Sequence, residues 1–304
     1  MNRKIRFLRN ALFGLLPLKV QEQLRMAKRR ILPYDPGIDE WTLEQGIRQV
    51  EMLRKAGCDP RGKECLELGT GWQPIIPLIF HVAGCKTLAL VDSQRLLDKR
   101  SLIKTSMGLV GCKKQISDRL GIPPDEVAKK LERSPGSSVD SLLESYNFRY
   151  LAPIDFLSND LPDQSLDIII SRAVLEHVPP VVIKGMFSQA KRLLRPNGKM
   201  CHIVDNSDHW EHSDKSLSRL SFLKYSDKQF RSFTKWNPLD YTNRLRHFQY
   251  RSMMEDAGFT IDFDDSPVNE KALEDLKTIP IDRSFEGIPH RELAILTTYL
   301  VASA

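Results

Sequence analysis

The sequence predicts an α/β protein in which a mostly parallel β-sheet carries helices on both faces. Short apolar runs of strand length alternate with longer segments of helical spacing, a glycine turn directly follows the first run, and polar residues follow several others. The chain has 304 residues, 41% of them hydrophobic, enough for one large domain with extensions or two small ones. The regular alternation favours the single large domain.

The first element is a strand over Cys65–Leu68, followed by the turn Gly69, Thr70 and Gly71. Glycines have no side chain, so the backbone can turn tightly there and come close to a ligand. A helix over Ile75–Val82 completes a strand–turn–helix unit of the nucleotide-binding type. The three turn residues are therefore cofactor-binding candidates.

A second strand, Thr87–Val91, ends at Asp92, which is followed by Ser93. Parallel strands end at the same edge of a sheet, so Asp92 should share a crevice with the glycine turn. A carboxylate in that position can accept hydrogen bonds from both hydroxyls of a ribose. Asp92 and Ser93 are therefore predicted cofactor contacts.

Glu67, two residues before the first glycine, discriminates between ligands. A carboxylate repels a pyrophosphate, and Pro74 replaces the third glycine of the G-x-G-x-x-G dinucleotide motif. A cationic or amine-bearing ligand suits Glu67 better. The pattern resembles the class I S-adenosylmethionine-dependent methyltransferases, whose first motif is acid-x-Gly-x-Gly and whose second is an acid closing the next strand.

This resemblance implies a Rossmann-like, seven-stranded, mostly parallel sheet and S-adenosylmethionine as the cofactor. A second block carries it further: LPDQSLDIIISRAVLEHV, residues 161–178, closely resembles the family pattern P-x-x-x-F-D-x-I-x-x-x-x-V-L-E-H-V, with Leu166 in place of the aromatic. The resemblance implies that Ser171 and Arg172 border the methionine part of the cofactor. It leaves His177 as either a base near the methyl group or a structural residue.

The third strand is predicted at Phe148–Leu151 and is followed by Asp155 and Phe156. In the family resembled, an acid at this point accepts a hydrogen bond from the adenine amine, and a neighbouring apolar residue packs on the ring. Asp155 and Phe156 occupy the matching positions here. We therefore expect both to contact the cofactor.

Domain organisation follows from the spacing of these strands. We expect a helical N-terminal extension over residues 1–60, including an amphipathic helix over Trp41–Ala56, and a methyltransferase domain over residues 61–304. More than fifty residues separate the second and third strands, whereas a crossover needs about a dozen. Residues 93–147 therefore read as a helical insertion after the second strand, either a cap over the crevice or a decoration.

Catalytic candidates follow the predicted fifth strand, Lys199–Val204. Asp205 and His209 stand at its mouth, where His209 or His212 can deprotonate a hydroxyl. A metal held by Asp205 and Asp208 is an alternative, but the stretch has no compact metal-ligand signature, so we predict no metal site. His209, His177 and Asp205 are the catalytic candidates.

The acceptor side is predicted to be a helical region over residues 206–258. Asn243-Arg244-Leu245-Arg246 could bind hydroxyl-rich or anionic groups there, and several aromatic residues could form a wall of the pocket. This tail looks similar to methyltransferases of bacterial cell-surface glycan pathways. The resemblance favours a glycan or another small hydroxylated molecule as acceptor.

Charge is concentrated at the N-terminus: nine Lys or Arg and a single acid lie in the first 30 residues of a chain with net charge +6. Apolar residues interleave with these bases, as in an amphipathic helix on an anionic membrane surface or packed on the domain. The composition argues against a nucleic-acid partner, because the remaining chain is faintly acidic. Five cysteines without C-x-x-C spacing indicate reduced thiols and a cytoplasmic location, with the inner membrane face as a peripheral site.

The resulting hypothesis is an S-adenosylmethionine-dependent methyltransferase that methylates a hydroxyl of a small molecule or cell-surface glycan. Two alternatives stay open: N-methylation of a small molecule, and a non-catalytic S-adenosylmethionine-binding protein that regulates or scaffolds a membrane-associated pathway. The sequence leaves the oligomeric state undetermined.

Overall fold

The computed structural model describes residues 37–133, 138–212, 214–234 and 241–304, together with residues 16, 17, 20, 21, 23, 24 and 27. The predicted basic helix near the N-terminus lies almost entirely outside these residues. None of the helices in the described part of the chain has the length and hydropathy that spanning a bilayer requires.

Seven strands form one sheet in the order β3-β2-β1-β4-β5-β7-β6. They are β1 Glu64–Leu68, β2 Thr87–Val91, β3 Phe148–Leu151, β4 Leu166–Arg172, β5 Leu194–Asp205, β6 Thr260–Asp264 and β7 Thr297–Ser303. All neighbours from β3 to β5 pair in parallel, whereas β7 is antiparallel to both β5 and β6. The predicted Rossmann-like α/β fold, with seven strands in a mostly parallel sheet, is confirmed.

Eleven helices occur in the described residues. They are α1 Glu40–Lys55, α2 Ile75–Val82, α3 Lys99–Gly111, α4 Lys113–Leu120, α5 Pro124–Leu131, α6 Val139–Ser145, α7 Pro180–Leu193, α8 Asp227–Thr234, α9 His247–Asp256, α10 Glu270–Asp275 and α11 His290–Leu293. Five of them, α1, α2, α5, α6 and α7, begin and end within two residues of the segments expected to be helical, because their start signals are local. Asp39, for example, accepts a hydrogen bond from the Thr42 backbone N–H at 3.2 Å and caps α1.

The sheet separates two apolar cores, one on each face. Alternate residues of a strand point to opposite faces, so Cys65 of β1 joins the core that contains α1 and α2, while Leu66 and Leu68 join the core that contains α7 and α9. Gln49 of α1 donates to the Ser171 carbonyl at 3.0 Å and so ties the helix to the end of β4. The part of the predicted N-terminal extension that contains α1 is therefore packed against the sheet.

Three elements differ from the prediction: one helix was not predicted, and two strands begin at other residues than expected. α4 was not expected, because its apolar residues are few. β5 begins at Leu194 rather than after Gly198, with Asn197 at φ +64° inside it. The last strand, which the sequence predicts over Glu292–Ala302, begins only at Thr297 as β7, because the short helix α11 occupies the residues before it.

The helices of the insertion between β2 and β3 lie in the helix layer on one face of the sheet. These helices pack on α1 and α2, where Leu102, Leu109, Ile116 and Val127 join the apolar core. No described residue between 94 and 147 lines either of the two cavities at the carboxyl ends of the strands. The insertion is therefore part of the helix layer, because its apolar faces are buried there. Its role as a cap or a decoration, and the division of the chain at residue 60, stay predictions.

Candidate active site

Two adjoining cavities lie at the carboxyl ends of β1, β2 and β4. The Glu67 cavity has a volume of about 490 Å³ and the Asp92 cavity about 680 Å³. Gly69 and Ala173 line both, so the cavities meet where the turn after β1 faces the turn after β4. Sites of this size at the ends of parallel strands are typical of nucleotide-like ligands.

Gly69 is required by both conformation and space. Its φ is +72°, and a Cβ built on it would lie 2.4 Å from Cγ2 of Val174. Its backbone N–H donates to the Val91 carbonyl at 2.7 Å, which fixes the turn against the end of β2. Any other residue would therefore displace the β4 turn and narrow the junction of the cavities. Thr70 and Gly71 of the same turn line the Glu67 cavity, as predicted.

Glu67 lines the cavity named after it and is only 4% exposed. Its Oε2 has no hydrogen-bond partner among the described residues. Burial raises the pKa of this carboxyl to about 8, even though the neighbouring Thr70 opposes the rise. A buried carboxyl oxygen without a partner needs a cation or a donor, so Glu67 fits an amine-bearing ligand.

Arg172 supplies the opposite charge in the Glu67 cavity. Its Nε donates to Oε1 of Gln45, a buried residue of α1. Burial lowers the pKa of the Arg172 guanidinium. An arginine side chain nevertheless stays protonated at neutral pH, so Arg172 is a cation. A carboxylate on Glu67 and a guanidinium on Arg172 in one cavity match the amino and carboxylate groups of an α-amino acid.

Asp92 and Ser93 line the second cavity, as predicted. Asp92 Oδ2 accepts from the Gly71 backbone N–H at 2.9 Å, and Oδ1 accepts from the Gln94 N–H at 3.0 Å. These bonds hold the carboxylate at the mouth of β2. Further lone pairs on each oxygen can accept from ribose hydroxyls.

Asp155 and Phe156 form the far end of the Asp92 cavity. The Asp155 carboxylate accepts from the Leu157 N–H at 2.9 Å and from the Ser158 hydroxyl at 3.2 Å, which caps a short 3₁₀ turn. Phe156 is buried in the core beneath that turn. Both residues therefore line the cavity, and their contact with an adenine stays a prediction.

The predicted contact of Ser171 with the cofactor is not supported by the structure. Ser171 is 1% exposed, lines neither cavity, and hydrogen-bonds through Oγ with Nδ1 of His202 at 2.7 Å. Side chains alternate along a strand, so Arg172 points into the cavity and Ser171 points away from it.

The catalytic candidates come together at the ends of β4 and β5. Nε2 of His209 lies 3.4 Å from Oδ2 of Asp205, and Nε2 of His212 lies 3.7 Å from the same oxygen. The rings of His177 and His209 have centroids 5.0 Å apart, and His177 lines the Asp92 cavity. We name the set of these five residues the imidazole–carboxylate cluster: Glu176, His177, Asp205, His209 and His212.

Charge pairing sets the protonation of this cluster. Burial raises the pKa of Asp205, but the neighbouring His209 and the Ser207 donors outweigh it and hold the pKa well below its usual range. Burial also lowers the pKa of His209, but Asp205 and then Glu176 outweigh that effect and raise it. Asp205 is thus ionised and favours a protonated His209.

Glu176 is the site residue that the sequence reasoning missed. It is 2% exposed, its Oε1 accepts from the Asp205 backbone N–H at 3.3 Å, and burial raises its pKa to about 8. Its Oε2 has no hydrogen-bond partner in the described chain. The only signal was its place directly before His177 in the matched motif.

Residues predicted to bind the acceptor instead hold the cluster in place. Asn243 donates through Nδ2 to the carbonyls of Leu175 and Val178 at 2.7 and 2.9 Å, which clamps the turn that carries His177. Arg246 is fully buried and donates to the Asn206 carbonyl at 2.7 Å. Arg244 is likewise buried against backbone carbonyls and Asp227, so these side chains are already engaged within the protein.

Asp208, the second residue of the alternative metal ligand pair, is engaged in a local turn. Asp208 is buried, its Oδ1 accepts from the Trp210 N–H at 2.9 Å, and its backbone N–H donates to the Arg219 carbonyl. The side chain is part of a local turn, because an aspartate two residues before an N–H readily caps it.

The donor set fits S-adenosylmethionine. Glu67 and Arg172 would hold its amino acid part, Asp92 its ribose and Asp155 with Phe156 its adenine. The unpartnered Glu67 oxygen and the close glycine turn are the observations that support this fit.

A family model described as a methyltransferase domain matches residues 44–262. No curated protein matches the chain. Among solved structures, an S-adenosylmethionine-dependent methyltransferase from Mesorhizobium loti is 13% identical with a TM-score of 0.46, the match covering 84% of this chain and 96% of that one. One from Methanosarcina mazei is 15% identical with a TM-score of 0.41, covering 80% of this chain and 92% of that one.

The family match runs from α1 to β6 and contains every predicted cofactor contact and the whole imidazole–carboxylate cluster. The chain is therefore an enzyme that uses S-adenosylmethionine, and it belongs to the class I S-adenosylmethionine-dependent methyltransferases.

Proposed function

We propose that this methyltransferase acts on a hydroxyl group of a small molecule or glycan. The observation that carries the proposal is the imidazole–carboxylate cluster, whose His177 lines the Asp92 cavity beside His209. A hydroxyl is a weak nucleophile until its proton is removed, whereas a neutral amine already has a reactive lone pair. An acceptor side rich in imidazoles therefore favours O-methylation over N-methylation.

When bound, S-adenosylmethionine supplies a methyl group on a sulfonium, which needs no further activation. The protein must then align the acceptor and remove its proton. We assign proton removal to the neutral form of His209, because Asp205 lies 3.4 Å from its Nε2 and stabilises the imidazolium that forms. His177, at the wall of the cavity, is assigned to positioning the acceptor.

A ring-shaped acceptor is supported by the aromatic residues that follow the histidines. Trp210 and Phe233 have ring centroids 5.3 Å apart, and Tyr225 and Phe233 have centroids 5.0 Å apart, both edge to face. Aromatic rings beside hydrogen-bonding groups suit a ligand with one apolar face and several hydroxyls, such as a sugar. A cytoplasmic location, a peripheral membrane contact through the basic N-terminus, and the absence of a nucleic-acid partner belong to the same proposal.

The proposal is tested by measuring methyl transfer to two sets of acceptors, one of hydroxylated molecules and one of amines. The purified chain is incubated with isotopically labelled S-adenosylmethionine and with either hydroxylated acceptors, including sugars, nucleotide sugars and phenols, or amine acceptors. Mass spectrometry then locates the label on oxygen or nitrogen. We expect O-methylated product, and exclusive N-methylation would overturn the proposal.

The His209 assignment is tested in the same assay by His209→Gln. Loss of a positioned base lowers kcat by about 10²–10⁴-fold. His290→Ala is the control, because His290 is exposed on α11 and lines neither cavity. Full turnover in His209→Gln would exclude this residue as the base.

A further inference from the structure

We propose that Glu176, His177 and His209 form a binding site for a divalent first-row transition cation. One ligand atom from each residue lies within 4.8 Å of the others. Two imidazole nitrogens and one carboxylate oxygen are a ligand set that such cations bind while keeping open positions for water or substrate. The site lies at the ends of β4 and β5, beside the Asp92 cavity.

The orientation of His177 supports this role. Its Nδ1 lies 2.8 Å from the backbone carbonyl of Tyr241. A carbonyl can only accept, so Nδ1 carries the proton and the lone pair is on Nε2. Metal-binding histidines are commonly oriented by this kind of second hydrogen bond.

Glu176 supplies the negative charge. Its side chain is 2% exposed, and its Oε2 has no partner among the described residues although Oε1 accepts from the Asp205 N–H. A buried carboxyl in this condition is costly unless a proton or a cation is bound. A cation on Oε2 would remove that cost.

The surrounding residues hold the three ligands in place. Asn243 clamps the turn of Glu176 and His177: besides its side-chain bonds, its backbone N–H donates to the Glu176 carbonyl at 2.7 Å. Asp205 lies 3.4 Å from His209 Nε2 and adds a second carboxylate at the edge of the site. The ligands therefore come from two loops whose separation is set by the pairing of β4 with β5.

Imidazole ligands favour Zn²⁺, Mn²⁺, Fe²⁺ or Co²⁺ over Mg²⁺, which prefers oxygen. A cation here would bind the acceptor hydroxyl oxygen and lower its pKa, so that the O–H proton leaves to solvent. His209 would then be a ligand rather than the proton acceptor. This catalytic role rests on the proposed function, whereas cation binding does not.

Cation binding is measured directly, without cofactor or acceptor. The full chain, prepared without a histidine tag and stripped with chelator, is titrated with Zn²⁺ by calorimetry and with Co²⁺ by visible absorption. We expect one cation per chain. Glu176→Gln, His177→Gln and His209→Gln should each weaken binding by at least about tenfold, while His290→Ala binds as the wild type.

Circular dichroism melts identify any variant that does not fold. His177→Gln keeps the test valid in that case, because His177 is exposed and its replacement leaves the core intact. Absence of binding by the wild type, or equal affinity in the folded ligand variants, would overturn the site. Turnover in chelated enzyme measures the proposed function separately: cation binding without any O-methylation would support the site and contradict that function.

Discussion

The cofactor side and the acceptor side of the crevice are built differently. Glu67, Gly69 and Asp92 come from two consecutive strands and their turns, within 26 residues of sequence. The imidazole–carboxylate cluster instead joins the turn after β4 to the loop after β5, and it is clamped by Asn243 from a third segment. One side is local in sequence and the other is assembled by strand pairing.

This difference assigns separate tasks to the two sides. The cofactor side presents a glycine turn, a buried carboxyl and a guanidinium, which together bind a ligand of fixed chemistry. The acceptor side presents groups that exchange protons or bind a cation. Variants on the first side should therefore change cofactor affinity, and variants on the second should change turnover.

The largest expected effect is on turnover, in Asp205→Asn. The amide keeps an acceptor for the Ser207 N–H, at present 2.9 Å from Oδ1, but removes the charge beside His209. We expect kcat to fall by about a hundredfold or more, with the Kd of S-adenosylmethionine unchanged. Asp214→Asn, in the same loop but outside the cluster, is the control. An equal loss of cofactor affinity would show that the two sides are coupled.

The next effect is on cofactor binding, in Gly69→Ala. The added Cβ would lie 2.4 Å from Val174, at a φ of +72°. We expect an increase in Kd of about a hundredfold, equivalent to about 3 kcal/mol of overpacking and strain. Gly62→Ala is a matched control, because Gly62 has φ +73° with nothing within 4 Å of the added atom. Calorimetry of both folded variants would contradict the prediction if their affinities were equal.

The sequence predicted the cofactor side well because its signals are local. The bounds of β2 were correct to the residue, α2 lies on the apolar segment expected to be helical, and Glu67, Gly69 and Asp92 line the cavities. Ser171 was misplaced because the family pattern gives the strand but not which face each residue occupies. Strand alternation, applied from Arg172, would have corrected it.

The acceptor side was predicted only in part. Asp205, His177 and His209 were expected near one another, but Glu176 and the clamp by Asn243 depend on how three loops fold together. Likewise, the position of the insertion in the sequence left open whether it is a cap or a decoration, and the burial of its apolar faces on α1 and α2 is visible only in the structure. Packing of this kind leaves no local motif.

A smaller and graded effect is expected from pH. Burial raises the pKa of Glu67 to about 8, so below that pH the ligand-free protein carries a neutral carboxyl in the cofactor site. A cationic ligand prefers the ionised form, and its binding releases the proton. The Kd should therefore fall by up to about tenfold for each unit of rising pH until about pH 8, and level off above it.

Two variants separate this linkage from general effects of pH. Glu67→Gln should bind more weakly with a flat profile, whereas Glu64→Gln should keep the slope, because Glu64 lies outside both cavities and pairs with Lys86. The same raised pKa should make the ligand-free fold lose stability as pH rises from about 4.5 to about 8, since the unfolded carboxyl ionises first. The melting temperature of the wild type should therefore fall over this pH range relative to that of Glu67→Gln. If it did not, Glu67 would not have a pKa raised by burial.

The smallest effect tests how far the cofactor extends along the Asp92 cavity. In Asp155→Asn the remaining carbonyl oxygen can still accept from the Leu157 N–H, so the 3₁₀ turn and Phe156 beneath it should keep their positions. The Ser158 hydroxyl, which now donates to the second carboxylate oxygen, can instead accept from the new amide N–H. The main loss is then an acceptor for the adenine amine, which should raise the Kd of S-adenosylmethionine by about fivefold, the value of one hydrogen bond. Asp160→Asn, exposed and outside both cavities, should bind as the wild type. If Asp155→Asn also bound as tightly, the adenine would not reach this end of the cavity, and the cofactor side would be confined to the part that two consecutive strands encode.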